Sequence, residues 1–139
     1  MTKEMTLNTL KADLIELSSG LRDCDWPRFD KLKITKTGLV LSIYIPDDLS
    51  YFQGHFPEQP VVPGVVQIHW VGEIAKRYFS SIGFVSLRAV KFGNVILPGM
   101  VLNLTLDYQS KKHTFRFEYS DEKISYSSGL IICSSSDLG

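Results

Sequence analysis

The chain has 139 residues, of which 44% are hydrophobic, 22% charged and 12% aromatic. Fifteen Lys and Arg residues balance fifteen Asp and Glu residues, so the formal net charge is zero. This length and composition predict one globular domain, and the neutral balance gives no overall attraction to nucleic acid. No apolar run approaches the roughly 20 residues that span a bilayer. We therefore expect no nucleic-acid partner and no membrane span.

The N-terminal sequence and the cysteines suggest the compartment. Acidic residues lie among the leucines of the first twenty residues, a composition unlike that of a signal peptide. Cys24 and Cys133 lie far apart and match neither a metal-site spacing nor a redox motif. We expect a reducing, cytoplasmic environment and no metal site.

The first predicted element is an amphipathic helix. Leu7, Leu10, Leu14 and Leu17 follow the three- and four-residue steps of a helix face. Such a helix either packs on the rest of the protein or binds a partner. We assign residues 1–29 to an N-terminal helical extension on this pattern.

Runs rich in β-branched and aromatic residues, several of them alternating polar with apolar, predict antiparallel strands. Residues 31–35 and 39–45 form a hairpin around Thr37-Gly38. Residues 134–139 are expected to be a disordered tail. The later strands are predicted over residues 85–95, 101–108, 113–119 and 123–133.

A loop and a helix separate the hairpin from the later strands. Residues 51–64 hold three of the six prolines and two of the ten glycines, a density that predicts a defined loop. Residues 65–80 have the length of a helix, with apolar residues on more than one face, so the helix is expected to be buried. This order predicts an α+β fold, with an antiparallel sheet wrapped around one central helix, in a single domain over residues 30–133.

The junction of the loop and the helix contains groups that are suited to catalysis. Pro63-Gly64 leads the backbone into the helix. The first N–H groups, from Gly64 onward, are free to stabilise a negative charge. His55 lies in the same proline-rich loop, and an imidazole can abstract a proton near neutral pH.

Two sequence blocks carry a family resemblance. The first is Gly54-His55-Phe56-Pro57-Glu58-Gln59-Pro60-Val61-Val62-Pro63-Gly64, and the second is Val90-Lys91-Phe92-Gly93-Asn94-Val95-Ile96-Leu97-Pro98-Gly99. In this order they resemble signatures of the 3-hydroxyacyl-acyl carrier protein dehydratases. The likeness covers residues 30–133 and implies the hotdog fold of that family.

The resemblance implies a reaction and a quaternary structure. The reaction is loss of water from a 3-hydroxyacyl thioester on an acyl carrier protein, giving a trans-2-enoyl thioester without a cofactor. His55 is implied as the base and Gly64 as the backbone oxyanion donor. A homodimer is also implied, in which the loop histidine of one subunit meets the helix acid of the other.

The acid position departs from the family pattern. His69 stands fourteen residues after His55, where the family usually has Glu or Asp. Three interpretations stay open. The imidazolium of His69 donates the proton; or Glu73, four residues later on the same helical face, acts through a water; or the protein binds acyl thioesters without dehydrating them.

Two further sequence patterns bear on the type of acyl chain that the protein binds. The helix start Val66-Gln67-Ile68-His69-Trp70 is similar to that of dehydratases from aryl-polyene pigment pathways, which implies a polyketide-like or aryl-bearing chain. Six apolar side chains are candidates for an acyl tunnel, or else for ordinary core: Phe52, Phe56, Val62, Val66, Trp70 and Phe92.

Two other functions remain open. The first is a hotdog acyl thioesterase, against which the loop of residues 54–57 and the missing carboxylate at position 69 both count. The second is a non-catalytic acyl-binding partner subunit, which the missing acid favours. An acidic carrier protein needs only a local basic face, for which the candidates are Lys76, Arg77, Arg88, Lys91, Lys111 and Lys112.

Overall fold

A computed structural model describes residues 23–52, 60–78, 83–109 and 111–134. The helix predicted from Leu7 to Leu17 and residues 135–139 of the predicted tail lie outside the described residues. So does the loop stretch 53–59, which contains His55 and Phe56. Ser134, which was assigned to the predicted tail, is instead the last residue of a strand.

The described residues form six strands and one α-helix: β1 Arg28–Ile34, β2 Gly38–Tyr44, α1 Gly64–Tyr78, β3 Gly83–Phe92, β4 Val101–Gln109, β5 Thr114–Ser120 and β6 Ser125–Ser134, with short 3-10 turns at Asp23–Asp25 and Ser50–Phe52. The strands form one antiparallel sheet in the order β1-β2-β4-β5-β6-β3. These elements confirm the predicted α+β architecture.

The strand register explains why one face of the sheet forms the core. Leu41 of β2 pairs with Leu104 of β4, which pairs with Tyr119 of β5, which pairs with Ser127 of β6. All four side chains are buried. Because alternate residues of a strand point to opposite faces, each of these strands buries every second residue. The row crosses the sheet and ends in two polar groups beneath the helix.

Helix α1 packs on this face through one side only. Val66, Trp70 and Ile74 are buried at four-residue steps, as the helical period requires. The opposite side is open in the single chain, where Val65 is 76% exposed and His69 is exposed. Apolar residues therefore occupy a wider arc of α1 than the arc that the described residues bury.

Strand β3 ends earlier than the sequence predicts. The expected strand runs to Val95, but the observed one stops at Phe92. The N–H groups of Gly93 and Asn94 both donate to the carbonyl of Tyr126, at 3.0 and 3.1 Å, which ends the regular ladder. Within β3, Ala89 has a φ of 54° at a bulge.

The segment before β1 is anchored on the helix. The indole Nε1 of Trp70 donates to the backbone carbonyl of Asp25 at 3.0 Å, and Ser50 Oγ donates to the Asp25 carboxylate at 2.7 Å. Strand β1 begins at Arg28, inside the range assigned to the N-terminal extension. The end of that range is therefore joined directly to the sheet.

Candidate active site

The first N–H groups of α1 precede its intrahelical hydrogen bonds. The carbonyl of Pro63 accepts hydrogen bonds from the N–H groups of Val66 at 3.0 Å and Gln67 at 3.1 Å. Bonding within the helix therefore starts at Val66, and the N–H groups of Gly64 and Val65 precede it. This is the geometry in which a helix N-terminus stabilises an anion. The role of Gly64 as a backbone oxyanion donor stays a prediction.

The structure brings the two sequence blocks together at this point. The N–H of Val62, two residues before Gly64, donates to the carbonyl of Ile96 at 2.9 Å. Phe92 lies directly over Gly64, where a Cβ would stand 2.7 Å from the ring Cζ. Only a glycine accepts the ring in its present place. The second block thus forms one wall around the first turn of the helix.

A tight turn fixes the end of the second block. Gly99 has a φ of 84°, and the N–H of Met100 reaches the carbonyl of Leu97 at 3.4 Å. Pro98 followed by a glycine with positive φ is typical of a type II turn. The N–H of Gly99 also donates to the carbonyl of Ile45 at 2.7 Å, which ties the turn to the end of β2.

His69 lies on the open side of α1, against an aromatic neighbour. Its imidazole and the indole of Trp26 have ring centroids 5.6 Å apart and planes inclined at 49°. Trp26 is itself buried and packs against Trp70 at 6.2 Å. The histidine is therefore exposed to solvent along one side and supported by a fixed ring along another.

Glu73 follows His69 by one helical turn and has a different partner. Its Oε2 accepts from Nε of Arg77 at 3.3 Å, an ion pair across four residues of the helix. Both side chains are partly exposed. The Glu73 carboxylate is therefore engaged by Arg77 on its own helix.

The described candidates for the acyl tunnel divide into two groups. Val62, Val66 and Trp70 are buried and pack directly into the core. Phe52 is partly buried against that core. Phe92 is 51% exposed and faces Gly64. Phe92 is thus the described candidate that lies beside the first residue of α1. The tunnel role of all five residues stays a prediction.

A buried polar cluster lies beneath the first turn of α1, and no local sequence pattern joins its three residues, Gln67, Tyr119 and Ser127. The side chain of Gln67 donates from Nε2 to the carbonyl of Val62 at 3.1 Å and accepts from Ser127 Oγ at 2.6 Å. The hydroxyl of Tyr119 donates to the backbone carbonyl of Gln67 at 2.6 Å. Burial raises the pKa of Tyr119 well above its ordinary value, which keeps this phenol neutral and able to donate. The signal was a glutamine within an apolar helix.

The predicted base His55 and the tunnel candidate Phe56 lie outside the described residues. Across the four described ranges, no three His, Cys, Asp or Glu side chains are grouped as a metal site would require. No helix in those ranges is long and apolar enough to cross a membrane.

Within the described residues, one antiparallel sheet packs on one helix, and the two sequence blocks meet at the N-terminal end of that helix. This arrangement is a hotdog fold. A sequence model of the ApeI-like family, described as ApeI dehydratase, matches residues 31–130. The chain belongs to this ApeI-like dehydratase family.

Individual relatives agree with the family assignment. The chain is 33% identical over 72 residues to the 3-hydroxyacyl-[acyl-carrier-protein] dehydratase FabZ of Novosphingobium aromaticivorans, covering 45% of this chain and 46% of that protein. It is 31% identical over 108 residues to FabZ of Buchnera aphidicola, covering 70% of this chain and 66% of that protein. The chain thus spans about half the length of most curated relatives it matches.

The fold is also similar to a solved dehydratase structure. A chain of the dehydratase heterocomplex ApeI:P from Xenorhabdus doucetiae superposes with a TM-score of 0.72 and 32% sequence identity. The match covers 78% of this chain and 97% of that chain. The hotdog architecture inferred from the two sequence blocks is therefore confirmed.

Proposed function

We propose that this protein removes water from a 3-hydroxyacyl thioester bound to an acyl carrier protein and forms a trans-2-enoyl thioester. The observation that carries the proposal is the contact between the two sequence blocks at Gly64, where Val62 bonds to Ile96 and Phe92 covers the glycine. The FabZ relatives are 3-hydroxyacyl-[acyl-carrier-protein] dehydratases, which agrees with this chemistry.

The first half of the reaction is proton abstraction at the α-carbon. His55 takes the α-proton, and the electron pair of the C–H bond moves toward the thioester carbonyl. The oxygen then carries negative charge, which the N–H of Gly64 and the helix N-terminus stabilise. The thioester itself acidifies the α-carbon, so the step as written uses no cofactor.

The second half is expulsion of the β-hydroxyl group. The enolate electrons form the carbon–carbon double bond while the C–O bond breaks, and an acid supplies the proton that makes water the leaving group. We assign this acid to the imidazolium of His69. His55 ends the cycle protonated and His69 neutral, and exchange with solvent restores both.

The choice of His69 over Glu73 is supported by their surroundings. His69 is exposed and its ring rests on Trp26, whereas the Glu73 carboxylate is paired with Arg77. The alternative, in which Glu73 protonates the leaving group through a water, requires that this ion pair open first.

We further propose a homodimer in which His55 of one protomer meets His69 of the other. Support comes from the open side of α1, where Val65 is exposed, and from exposed Phe92 and Val95 beyond it. Strand β3 also stands at an edge of the sheet, where it can accept another strand. These apolar groups would be covered in the dimer.

The pathway and the carrier are proposed from the family. Membership of the ApeI-like family favours an aryl-polyene or other polyketide-like chain, with fatty-acid synthesis as the alternative, in the cytoplasm. Arg88 and Lys91 are exposed on β3, and Lys76 is exposed on α1. These side chains give an acidic carrier protein a local basic surface.

One other function is favoured by a specific observation. His69 replaces the usual carboxylate, and the similar Xenorhabdus doucetiae structure is a heterocomplex. A non-catalytic subunit that binds acyl chains and activates a partner dehydratase is therefore the second candidate. A thioesterase is the third, and no feature of the described site favours it.

The experiment is to incubate the purified protein with 3-hydroxyacyl carrier proteins of several chain types and follow the carrier by mass spectrometry. Loss of one water supports the dehydratase, and release of the free acid supports the thioesterase. An unchanged carrier supports the non-catalytic subunit. His55→Ala should abolish water loss. The matched control is His113→Asn, which alters an exposed histidine in the turn before β5 and should leave the rate unchanged.

A further inference from the structure

A fully bonded polar cluster lies where the core could have been apolar. Gln67 is 3% exposed, Ser127 2% and Tyr119 0%. Within the described ranges no buried side-chain nitrogen or oxygen lacks a hydrogen-bond partner, so all three groups are satisfied. A leucine or methionine at position 67 would avoid the desolvation of an amide altogether. The hydrophobic effect therefore does not explain why polar residues occupy these buried positions.

The direction of the Gln67 amide follows from its partners. The Val62 carbonyl can only accept, so the amide nitrogen must face it. The amide oxygen then faces Ser127, whose hydroxyl donates. Ser127 thus fixes the side chain of Gln67, and that side chain fixes Val62, which lies two residues before Gly64.

The third bond fixes the helix itself. The Tyr119 hydroxyl, from β5, donates to the backbone carbonyl of Gln67. Together, β5 and β6 hold the first turn of α1 from below, while Phe92 of β3 holds it from above at Gly64. A satisfied buried network of this kind selects one arrangement of the groups it joins. Rotation or sliding of the first turn would break at least one of the three bonds.

We propose that Gln67 is a positioning residue that sets the direction of the Gly64 N–H toward the thioester oxygen, acting through Val62 and held by Tyr119 and Ser127. The inference rests on the proposed dehydratase function. Catalytic geometry tolerates displacements of roughly 0.5 Å, and a displacement of about 1 Å can cost on the order of a hundredfold in rate. A rigid first turn of α1 therefore favours catalysis, because it holds Gly64 in one place.

The test compares Gln67→Met, which keeps length and loses both side-chain bonds, with Tyr119→Phe, which removes only the hydroxyl. Both are expected to lower kcat by about tenfold to a hundredfold with little change in KM. Ser127→Thr keeps the hydroxyl and should retain most of the kcat that Ser127→Ala loses. Thr114→Val is the control, since Thr114 is a buried polar residue of β5 outside the cluster.

A second readout does not depend on turnover. The amide signals of Gly64 and Val65 in the nitrogen–proton correlation spectrum should shift in Gln67→Met and Tyr119→Phe but not in Thr114→Val. An inactive wild type would refute the proposed function, and the amide shifts would still decide whether Gln67 positions the turn. Unshifted amides, or a loss of kcat that follows loss of stability equally in Thr114→Val, would overturn the inference. If Gln67→Met does not fold, Tyr119→Phe alone gives the decision.

Discussion

The imidazole of His69 lies against the indole of Trp26, with their ring centroids 5.6 Å apart. Trp26 comes from the segment before β1 and is buried against Trp70. The position of the proposed acid is therefore set by residues some forty positions earlier in the chain, through an aromatic contact. Glu73, the other acid candidate, is paired with Arg77 instead.

This difference predicts unequal effects of removing the two side chains. His69→Ala should lower kcat by about a hundredfold to ten-thousandfold, the usual contribution of a general acid. Glu73→Gln should change kcat little, because the carboxylate takes no part in the proton transfer. Steady-state rates with a 3-hydroxyacyl carrier protein measure both. His69→Glu, which restores the family's residue type, should keep more activity than His69→Ala. A large loss in Glu73→Gln alone would assign the acid to Glu73.

The contact between Gly64 and Phe92 predicts that substitution of one can be compensated at the other. In Gly64→Ala the new methyl group would meet the ring of Phe92. Because that ring is half-exposed, it can turn away, so the free energy of unfolding should fall by less than about 1 kcal/mol. The displaced ring and the methyl group should lower kcat by about tenfold. Adding Phe92→Ala to Gly64→Ala should recover part of that loss. Strictly additive effects of the two substitutions would show that the contact is irrelevant to catalysis.

The bulge in β3 predicts a stabilising substitution. Ala89 has a φ of 54°, a left-handed conformation that a Cβ disfavours, and its side chain is exposed. Ala89→Gly should therefore raise the free energy of unfolding by about 0.5–1 kcal/mol, measured by urea titration. Ala75→Gly is the opposing control, since it places glycine in a helix and removes a buried methyl group. It should lower the free energy of unfolding by about 1–2 kcal/mol. A less stable Ala89→Gly would contradict the strain at the bulge.

The turn between β5 and β6 predicts a contribution to stability that depends on pH. The hydroxyl of Tyr126 donates to the Asp121 carboxylate at 2.5 Å, and the N–H groups of Lys123 and Ile124 donate at 2.8 Å. These bonds lower the pKa of Asp121 below its ordinary 3.8. A lowered carboxyl pKa stabilises the folded state above 3.8, and this stabilisation disappears as the pH falls through the lower folded value.

The measurement is urea unfolding at neutral pH and at about pH 3 or below. At neutral pH, Asp121→Ala should be less stable than the wild type, and the difference should shrink at the acid end. Tyr126→Phe, which removes the first of the three donors, should show the same trend with a smaller amplitude. A difference between Asp121→Ala and the wild type that is constant across pH would contradict the role of the charge.

Much of the sheet follows from the sequence because local patterns determine it. In β5, Phe115, Phe117 and Tyr119 alternate with outward residues, and the structure buries all three. The turn at Pro98-Gly99 is likewise encoded by two adjacent residues. The predicted end of β3 was wrong because the N–H groups of Gly93 and Asn94 donate to Tyr126, a residue more than thirty positions away in the sequence. Contacts of this kind leave no local pattern.

The sequence predicted which residues form the candidate site but not which contacts hold them in place. Gly64 and His69 are candidates because of the loop motif and the spacing after His55, and their roles stay predictions. The ring beside His69 and the bonds beneath Gln67 come from Trp26, Tyr119 and Ser127, which lie far away in the sequence. Only the polar character of Gln67 in an apolar helix indicated that a partner must exist.

Sharing of the proposed active site, with His55 from one protomer and His69 from its partner, can be measured in mixed dimers. His55→Ala and His69→Ala chains should be co-expressed with different tags, and the mixed dimer isolated through both tags. Each mixed dimer would then hold one intact pair of histidines and one pair lost entirely. If the site is shared in this way, the mixed dimer dehydrates at about half the wild-type rate per dimer, whereas each variant alone is nearly inactive. A mixed dimer that is as inactive as the two variants would contradict it.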